Sequence, residues 1–323
     1  MACFPLTKPM IEIITSLAPI FLLILSGWLV RKRRWVVDAF WQPAETLTFY
    51  ILFPALLIHK IALTDMSAIN LPPIMGATAG GMLIVGGVLV ALRRRIERAG
   101  LDGPSFTSVF QGSVRPNSYV GIAAAVALFG NTGVTVVSAA IIVAAPLANF
   151  LGVLVLVRYA NGTNGSGKNF RPRWRDTVLP IIKNPLILAT LIGVALNWTG
   201  AGLPPVVGPF LDVLGQAALP IGLMAVGAGL DFAALTAAGG WVAATVAVKQ
   251  IVLPLVTFLL FYAFGGSGPA AAMTVMFAAL PCSAVSYVMS RKMGGDATLM
   301  AGIITATTLT ATFAMSVVVM ALS

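Results

Sequence analysis

The sequence predicts an all-α membrane protein whose ten transmembrane helices form a 5+5 inverted repeat. Composition, the distribution of positive charge and an internal repeat support this prediction. Of the 323 residues, 59% are hydrophobic and 9% are charged, and the mean hydropathy is +0.96. A soluble protein of this length could not bury so much apolar surface. We therefore expect a chain that crosses the membrane many times.

Ten segments are apolar enough to cross the hydrocarbon layer, which takes about twenty residues per helix. The first is followed by Arg31-Lys32-Arg33-Arg34 and by no small-residue cleavage pattern, so we expect a retained anchor with its N-terminus outside. The predicted spans are residues 10–30, 39–63, 73–92, 105–129, 132–157, 178–199, 205–230, 239–264, 268–290 and 296–321.

Positive charge alternates between the connections. Connections 31–38, 93–104 and 158–177 hold four, four and five Lys or Arg residues, and Arg291-Lys292 follow the ninth span. The opposite connections hold none: 64–72, 130–131, 200–204 and 265–267. This bias predicts that both termini lie outside the cell (inner) membrane. It also explains the net charge of +10 without a nucleic-acid partner.

An internal repeat divides the chain at the polar linker 161–177. Pro116 and Pro281 lie 165 residues apart, and Pro54 and Pro220 lie 166 apart. Five spans in each half is an odd number, so the second half must enter the membrane from the opposite side, as in many secondary transporters. The same register relates further pairs: Pro19 with Pro185, Gly27 with Gly193, Gly130 with Gly295 and Asn131 with Asp296.

The fourth and ninth spans are predicted to be broken helices that cross each other. Proline removes a backbone donor, and Pro116 stands within the polar run Gly112–Tyr119 of an otherwise apolar span. Such a break is tolerated where the freed groups are buried in protein or line a watery cavity. We therefore expect a substrate site near the bilayer midplane, formed by Arg115, Pro116, Asn117, Ser118, Tyr119, Pro281, Cys282 and Ser283, together with Lys249 of the eighth span.

Two of these residues are cations deep in their spans. Arg115 lies eleven residues into the fourth span, where a functional role is the default and a structural guanidinium that caps freed carbonyls is the alternative. Lys249 is equally deep in the eighth span. For Lys249, attraction of substrate and an internal tether to carbonyl groups both remain open.

No enzyme motif competes with transport. The sequence lacks the GxSxG, HExxH and Walker patterns, so we expect no enzyme. One histidine and two separated cysteines, Cys3 and Cys282, predict neither a metal site nor a cofactor. An anion channel and a membrane sensor that binds without transporting remain alternatives, although no TVGYG-type filter is present.

Four sequence features together resemble the auxin efflux carrier family. They are the Arg-Pro-Asn-x-Tyr run at 115–119, Asn184-Pro185-Leu186, Ala218-Leu219-Pro220 and Gly227-Ala228-Gly229-Leu230. The family includes bacterial malonate and malate transporters and plant PIN-type auxin exporters, and its fold is related more distantly to that of bile-acid sodium symporters. In the plant exporters the break reads Asn-Pro-Asn-x-Tyr. Arg115 replaces the first Asn here, which favours a smaller, more charged anion than auxin.

The resemblance implies a mobile core that moves against a scaffold, in an elevator-type alternating-access mechanism. Residues 1–70 and 178–235 would form the scaffold, residues 71–160 and 236–323 the core, and residues 161–177 a cytoplasmic linker. The expected substrate is a small carboxylate or dicarboxylate such as malonate or malate, or an auxin-like anion. Expected partners are membrane lipid and a second copy bound through the scaffold. Because no acidic residue is expected at the midplane, we predict no dedicated sodium site.

Overall fold

The computed structural model describes residues 10–63, 69–160, 185–237 and 239–322, and these residues form twelve helices and no strand. The helical fold is confirmed. Cys3, Asn184 and the linker 161–177 lie outside the described residues. The helices are α1 Met10–Lys32, α2 Asp38–Ala62, α3 Leu71–Arg98, α4 Gly103–Val114, α5 Ser118–Tyr159, α6 Pro185–Trp198, α7 Val207–Ala228, α8 Phe232–Ala237, α9 Gly239–Ala263, α10 Ala270–Ala278, α11 Val285–Met293 and α12 Ala297–Leu322.

Seven of the described helices are long and apolar enough to cross a membrane: α1, α2, α3, α5, α7, α9 and α12. The chain is therefore a multi-pass membrane protein. This count is lower than ten for two reasons. Helices α4, α10 and α11 are each too short to cross a membrane alone, and α6 is described only from Pro185 onwards. In addition, α5 is 42 residues long and includes Gly130, whose φ of 60° and ψ of −145° are not helical. The ten-span count stays a prediction.

Helical structure extends into two segments that the predicted spans left as connections. Helix α3 continues to Arg98, although a connection was expected from residue 93. Arg93 pairs with Glu97 one turn later, and its guanidinium lies 4.2 Å from the ring centre of Tyr159, so the charged turns are stabilised beyond the apolar segment. The predicted connection 231–238 contains the short helix α8, whose first turn is capped by a hydrogen bond from the Ala234 amide to Asp231 Oδ1.

Helices α2 and α9 each contain one π-helical turn. These turns are Thr48–Leu52 and Val248–Val252, and each ends two residues before a proline, Pro54 or Pro254. Proline cannot donate the usual backbone hydrogen bond, and its ring collides with the carbonyl four residues earlier. A wider turn relieves that collision. The turn in α9 carries Lys249, so this irregularity fixes the direction of a buried cation.

The helices pack in two groups. In the first group, α1 and α2 contact α7, and α2 also contacts α6. Helices α1 and α7 approach backbone to backbone, because a Cβ atom on Gly227 would overlap the carbonyl oxygen of Ile24 and one on Gly27 would overlap that of Met224. Small residues permit this kind of close approach between membrane helices.

The second group contains α3, α4, α5, α9, α10, α11 and α12. Helix α3 packs on α5 and α9, while α4 and α10 each pack on both α5 and α12. Contacts between the groups are made mainly where α1 meets α5 and α12 and where α2 meets α5. The short helix α8, which follows α7, lies between the groups: it packs on α12, and its Phe232 ring lies 5.2 Å from the ring of Trp28 in α1. The site described below lies beside this boundary.

Candidate functional site

The first chain interruption separates α4 from α5. Helix α4 ends at Val114, and Arg115 is extended, with φ −90° and ψ 115°. A residue before proline is biased towards this conformation, and Pro116 itself cannot donate to a helix. Asn117 then caps α5, its Oδ1 accepting from the amides of Tyr119 at 3.1 Å and Val120 at 3.4 Å. The local sequence therefore ends one helix and starts the next within three residues.

The second interruption separates α10 from α11 and lies against the first. The amide of Asn117 donates to the carbonyl of Pro281 at 2.9 Å, and Pro116 and Cys282 form an isolated antiparallel bridge. The Cys282 amide donates to Thr307 Oγ1 of α12 at 3.1 Å. Backbone groups freed by each break are thus paired with the other break or with a neighbouring helix, which is what a dry environment requires.

A cavity of about 520 Å³ lies beside this contact. Six of the nine residues expected at the site line it: Arg115, Pro116, Asn117, Ser118, Tyr119 and Ser283. The first residues of α5 and α11 both border the cavity, at Ser118 and Val285. Helix N-termini carry partial positive charge, so both ends favour an anion.

Arg115 provides a full positive charge at the cavity wall. Only 6% of its surface is exposed. Its Nη2 donates to Asn149 Oδ1 and its Nη1 to Met289 Sδ at 2.9 Å, and none of the three ion pairs among the described residues includes it. The guanidinium is therefore held by neutral partners and keeps its charge available to a ligand.

Asn149 was not among the residues expected at the site. It lines the cavity from α5, about five turns beyond the Gly130 kink, and orients Arg115. Its sequence signal was an amide within the apolar segment 132–157. The sequence does not show which way the Asn149 side chain points, because an amide within a span can face any neighbouring helix.

Further charged residues line the cavity, and sequence analysis did not assign them to it. They are Arg31, Glu45, Asp231 and Arg291. Arg31 is fixed by two contacts, from Nη1 to the Ala228 carbonyl at 2.5 Å and from Nε to Asp38 Oδ1 at 3.2 Å. These four residues lie at or near helix ends, whereas Arg115 lies at the chain interruption. Charged side chains of both signs therefore line the cavity.

The remaining three predicted residues do not line the cavity. Pro281 and Cys282 are buried within the contact between the two interruptions. Lys249 is fully buried, at 0% exposure, and its Nζ donates to the Ala278 carbonyl at 3.0 Å. Of the two roles left open for Lys249, the observed contact is the one with a carbonyl group.

Tyr119 forms an aromatic part of the cavity wall. Its ring stacks on Phe53 of α2, with ring centres 4.6 Å apart and planes 18° apart. Phe53 is fully buried, so Tyr119 is supported from behind by the first packing group. Stacked aromatic pairs of this kind hold both rings in fixed orientations.

The described residues contain no group of three His, Cys, Asp or Glu side chains placed to hold a metal ion. No curated protein matches this chain. A family model described as membrane transport protein matches residues 12–319, nearly the whole sequence. This agrees with the multi-pass helical fold and confirms the resemblance found in the sequence. The chain belongs to this membrane transport family, the auxin efflux carrier family.

Proposed function

We propose that the chain is a secondary transporter of small organic anions, of the carboxylate or dicarboxylate class. One observation carries this proposal: a buried arginine and the N-termini of two helices border the same cavity. A carboxylate matches the guanidinium in two parallel hydrogen bonds and is stabilised by both helix ends. Malonate and malate are the candidates implied by the family.

Acidic residues line the cavity, but none of them pairs with Arg115 among the described residues. Glu45 and Asp231 line the cavity near helix ends, and Arg31 and Arg291 line it as well. Arg115 at the chain interruption, by contrast, forms no ion pair with an acidic residue among the described residues. The electrostatic minimum for an anion is therefore expected at Arg115.

We further propose ten spans in two inverted halves. Gly130 would divide α5, so that α4 with the first part of α5 forms the fourth span and the second part forms the fifth. Helices α10 and α11 would form the ninth span, and α6 would complete the sixth. Together with the other six long helices this gives ten, with a cytoplasmic linker at 161–177 and both termini outside the cell membrane.

The cavity is proposed to open to the cytoplasm. Arg31 lies in the last turn of α1, within the segment 31–38, and Arg291 lies near the end of α11, beside the ninth-to-tenth connection. Both connections carry the positive charge that marks cytoplasmic loops. This structure would therefore represent an inward-facing conformation.

Alternating access would come from movement of the second packing group, as core, against the first, as scaffold. Support comes from the two packing groups of helices and from specific polar contacts at their boundary. One such contact joins Asp231 to Thr305 of α12, whose hydroxyl accepts from the Asp231 amide at 2.9 Å. An elevator-type movement would carry both interruptions, with Arg115, across the membrane.

Flux measurements in proteoliposomes distinguish this carrier from an anion channel and from a non-transporting sensor. A carrier gives saturable carboxylate uptake that is accelerated by unlabelled carboxylate inside. A channel gives far larger flux without such counterflow, and a sensor binds the anion without any flux. Imposing sodium, proton and potential gradients one at a time then identifies the driving force, which we expect to be the potential or the anion's own gradient.

A further inference from the structure

The contact between the two chain interruptions, at Pro116 and at Pro281 and Cys282, forms the crossing. We propose that Lys249 is a positioning residue at this crossing. Its ammonium group occupies the place where a free monovalent cation would otherwise be needed. This inference rests on the proposed transport function but concerns a different part of the crossing. It begins from the contact between Lys249 Nζ and the Ala278 carbonyl, 3.0 Å long and fully buried.

The position of Ala278 explains why a cation is needed there. Ala278 is the last residue of α10, and the carbonyl groups of a final helical turn have no partner within the helix. They also carry the negative end of the helix dipole. In a site without water these groups require a donor, and a positive donor is stabilised most.

The two sides of the crossing therefore differ in charge. The N-terminal ends of α5 and α11 face the cavity. The C-terminal ends of α4 and α10, at Val114 and Ala278, border a second, very small pocket of about 10 Å³ together with Lys249. Anion-favouring helix ends thus line one side, and cation-favouring ends line the other.

The second pocket is lined mainly by apolar side chains, with a few oxygen-bearing groups near Lys249. Besides the Ala278 carbonyl it contains the hydroxyl residues Thr78 and Thr257. Each hydroxyl donates to a carbonyl of its own helix, at 2.7 Å for Thr78 and 2.8 Å for Thr257, so its oxygen lone pairs remain able to accept. The ammonium has three donors, and the Ala278 carbonyl accepts from it.

Pro116 borders both the cavity and the second pocket. An ammonium that fixes the end of α10 therefore fixes the surface against which Pro116 and Arg115 are held. Because this cation is covalently attached, the crossing keeps its shape without binding sodium. The anion site and the cation that supports it then move as one body.

Chemical rescue tests this inference. The change Lys249→Ala removes three carbon atoms and the ammonium, a volume that n-propylammonium can fill. We expect Lys249→Ala to lose at least tenfold in carboxylate uptake and to melt at a lower temperature in detergent. Added n-propylammonium should raise the melting temperature and restore part of the uptake, whereas n-propanol, which has the same size without the charge, should do neither.

Three further variants complete the test. Lys249→Met fills the space without charge and should be impaired and unresponsive to n-propylammonium, whereas Lys249→Arg should retain partial activity. Lys32→Ala, at an exposed lysine ending α1, is the matched control and should behave as wild type. If Lys249→Ala and Lys249→Met fail to fold while Lys249→Arg folds, the requirement for a cation is supported.

The inference is overturned if Lys249→Met transports at the wild-type rate, or if n-propanol rescues Lys249→Ala as well as n-propylammonium does. It is also overturned if wild-type uptake requires sodium, because a free cation would then be needed after all. Failure of the proposed function gives a different result: wild type would transport no carboxylate, while n-propylammonium would still stabilise Lys249→Ala in detergent.

Discussion

Tyr119 and Phe53 stack face to face across the boundary between the two helix groups, with ring centres 4.6 Å apart. Tyr119 begins α5 at the chain interruption, and Phe53 lies in α2 just after its π-helical turn. A cavity residue of one group is thus supported by a buried ring of the other. If the core slides against the scaffold, this contact must break and re-form in each cycle.

Cross-linking the two groups tests that movement. Asp231 and Thr305 share a hydrogen bond across the boundary, so Asp231→Cys with Thr305→Cys can be joined by a short bifunctional thiol reagent. The cross-link should abolish uptake, and cleavage of the linker should restore it. Arg115 is unchanged in this double variant, so carboxylate binding should persist after cross-linking. Because Asp231 lines the cavity, the double variant before cross-linking is the reference for both uptake and binding. Uptake that survives complete cross-linking would contradict movement of the core.

Arg115 should dominate anion affinity. Arg115→Ala removes charge-assisted hydrogen bonds worth about 1.5–3 kcal/mol, or roughly 10- to 100-fold in Kd. Arg115→Lys should recover little of this, since an ammonium cannot form the planar two-bond contact. Calorimetric titration of the purified protein with a dicarboxylate measures both. Arg94→Ala, at an exposed position on α3, is the control; equal affinity in Arg115→Ala and Arg94→Ala would refute the assignment.

Asn149 should act through Arg115. Asn149→Ala removes the amide oxygen that holds the guanidinium and should weaken anion binding about tenfold, by roughly 1.4 kcal/mol. Asn149→Asp places a carboxylate beside Arg115 and should weaken binding further, because the new ion pair competes with the substrate. The exposed Asn131 provides the control change Asn131→Ala. Stronger binding in Asn149→Asp than in Asn149→Ala would exclude this role.

Gly227 should tolerate no side chain. In Gly227→Ala the new Cβ meets the Ile24 carbonyl, so α1 and α7 must separate, at a cost of about 1–3 kcal/mol. Gly87→Ala in α3 has no atom within 4 Å and should stabilise the protein by about 0.5–1 kcal/mol. Melting temperatures in detergent compare the two variants. Equal or opposite shifts would show that α1 and α7 do not need this close approach.

Much of the site could be predicted from Pro116 and Arg115, because proline and a cation within an apolar span each have a strong physical meaning. The orientation of the Lys249 side chain could not be predicted, because it depends on which helix ends meet on each side of the crossing. Glu45 and Asn149 were missed for a related reason: depth in a span does not say which neighbour a side chain faces. The end of α3 was misplaced because hydropathy marks the hydrocarbon boundary and not the end of the helix.

A structure with a bound carboxylate tests the central claim most directly. A heavy-atom analogue such as bromomalonate allows the ligand to be located by cryo-electron microscopy or anomalous diffraction. We predict one bound anion in the cavity, with a carboxylate oxygen within hydrogen-bonding distance of the Arg115 guanidinium and close to the N-termini of α5 and α11. A transport-competent protein that binds the analogue elsewhere, with only solvent beside Arg115, would contradict the account.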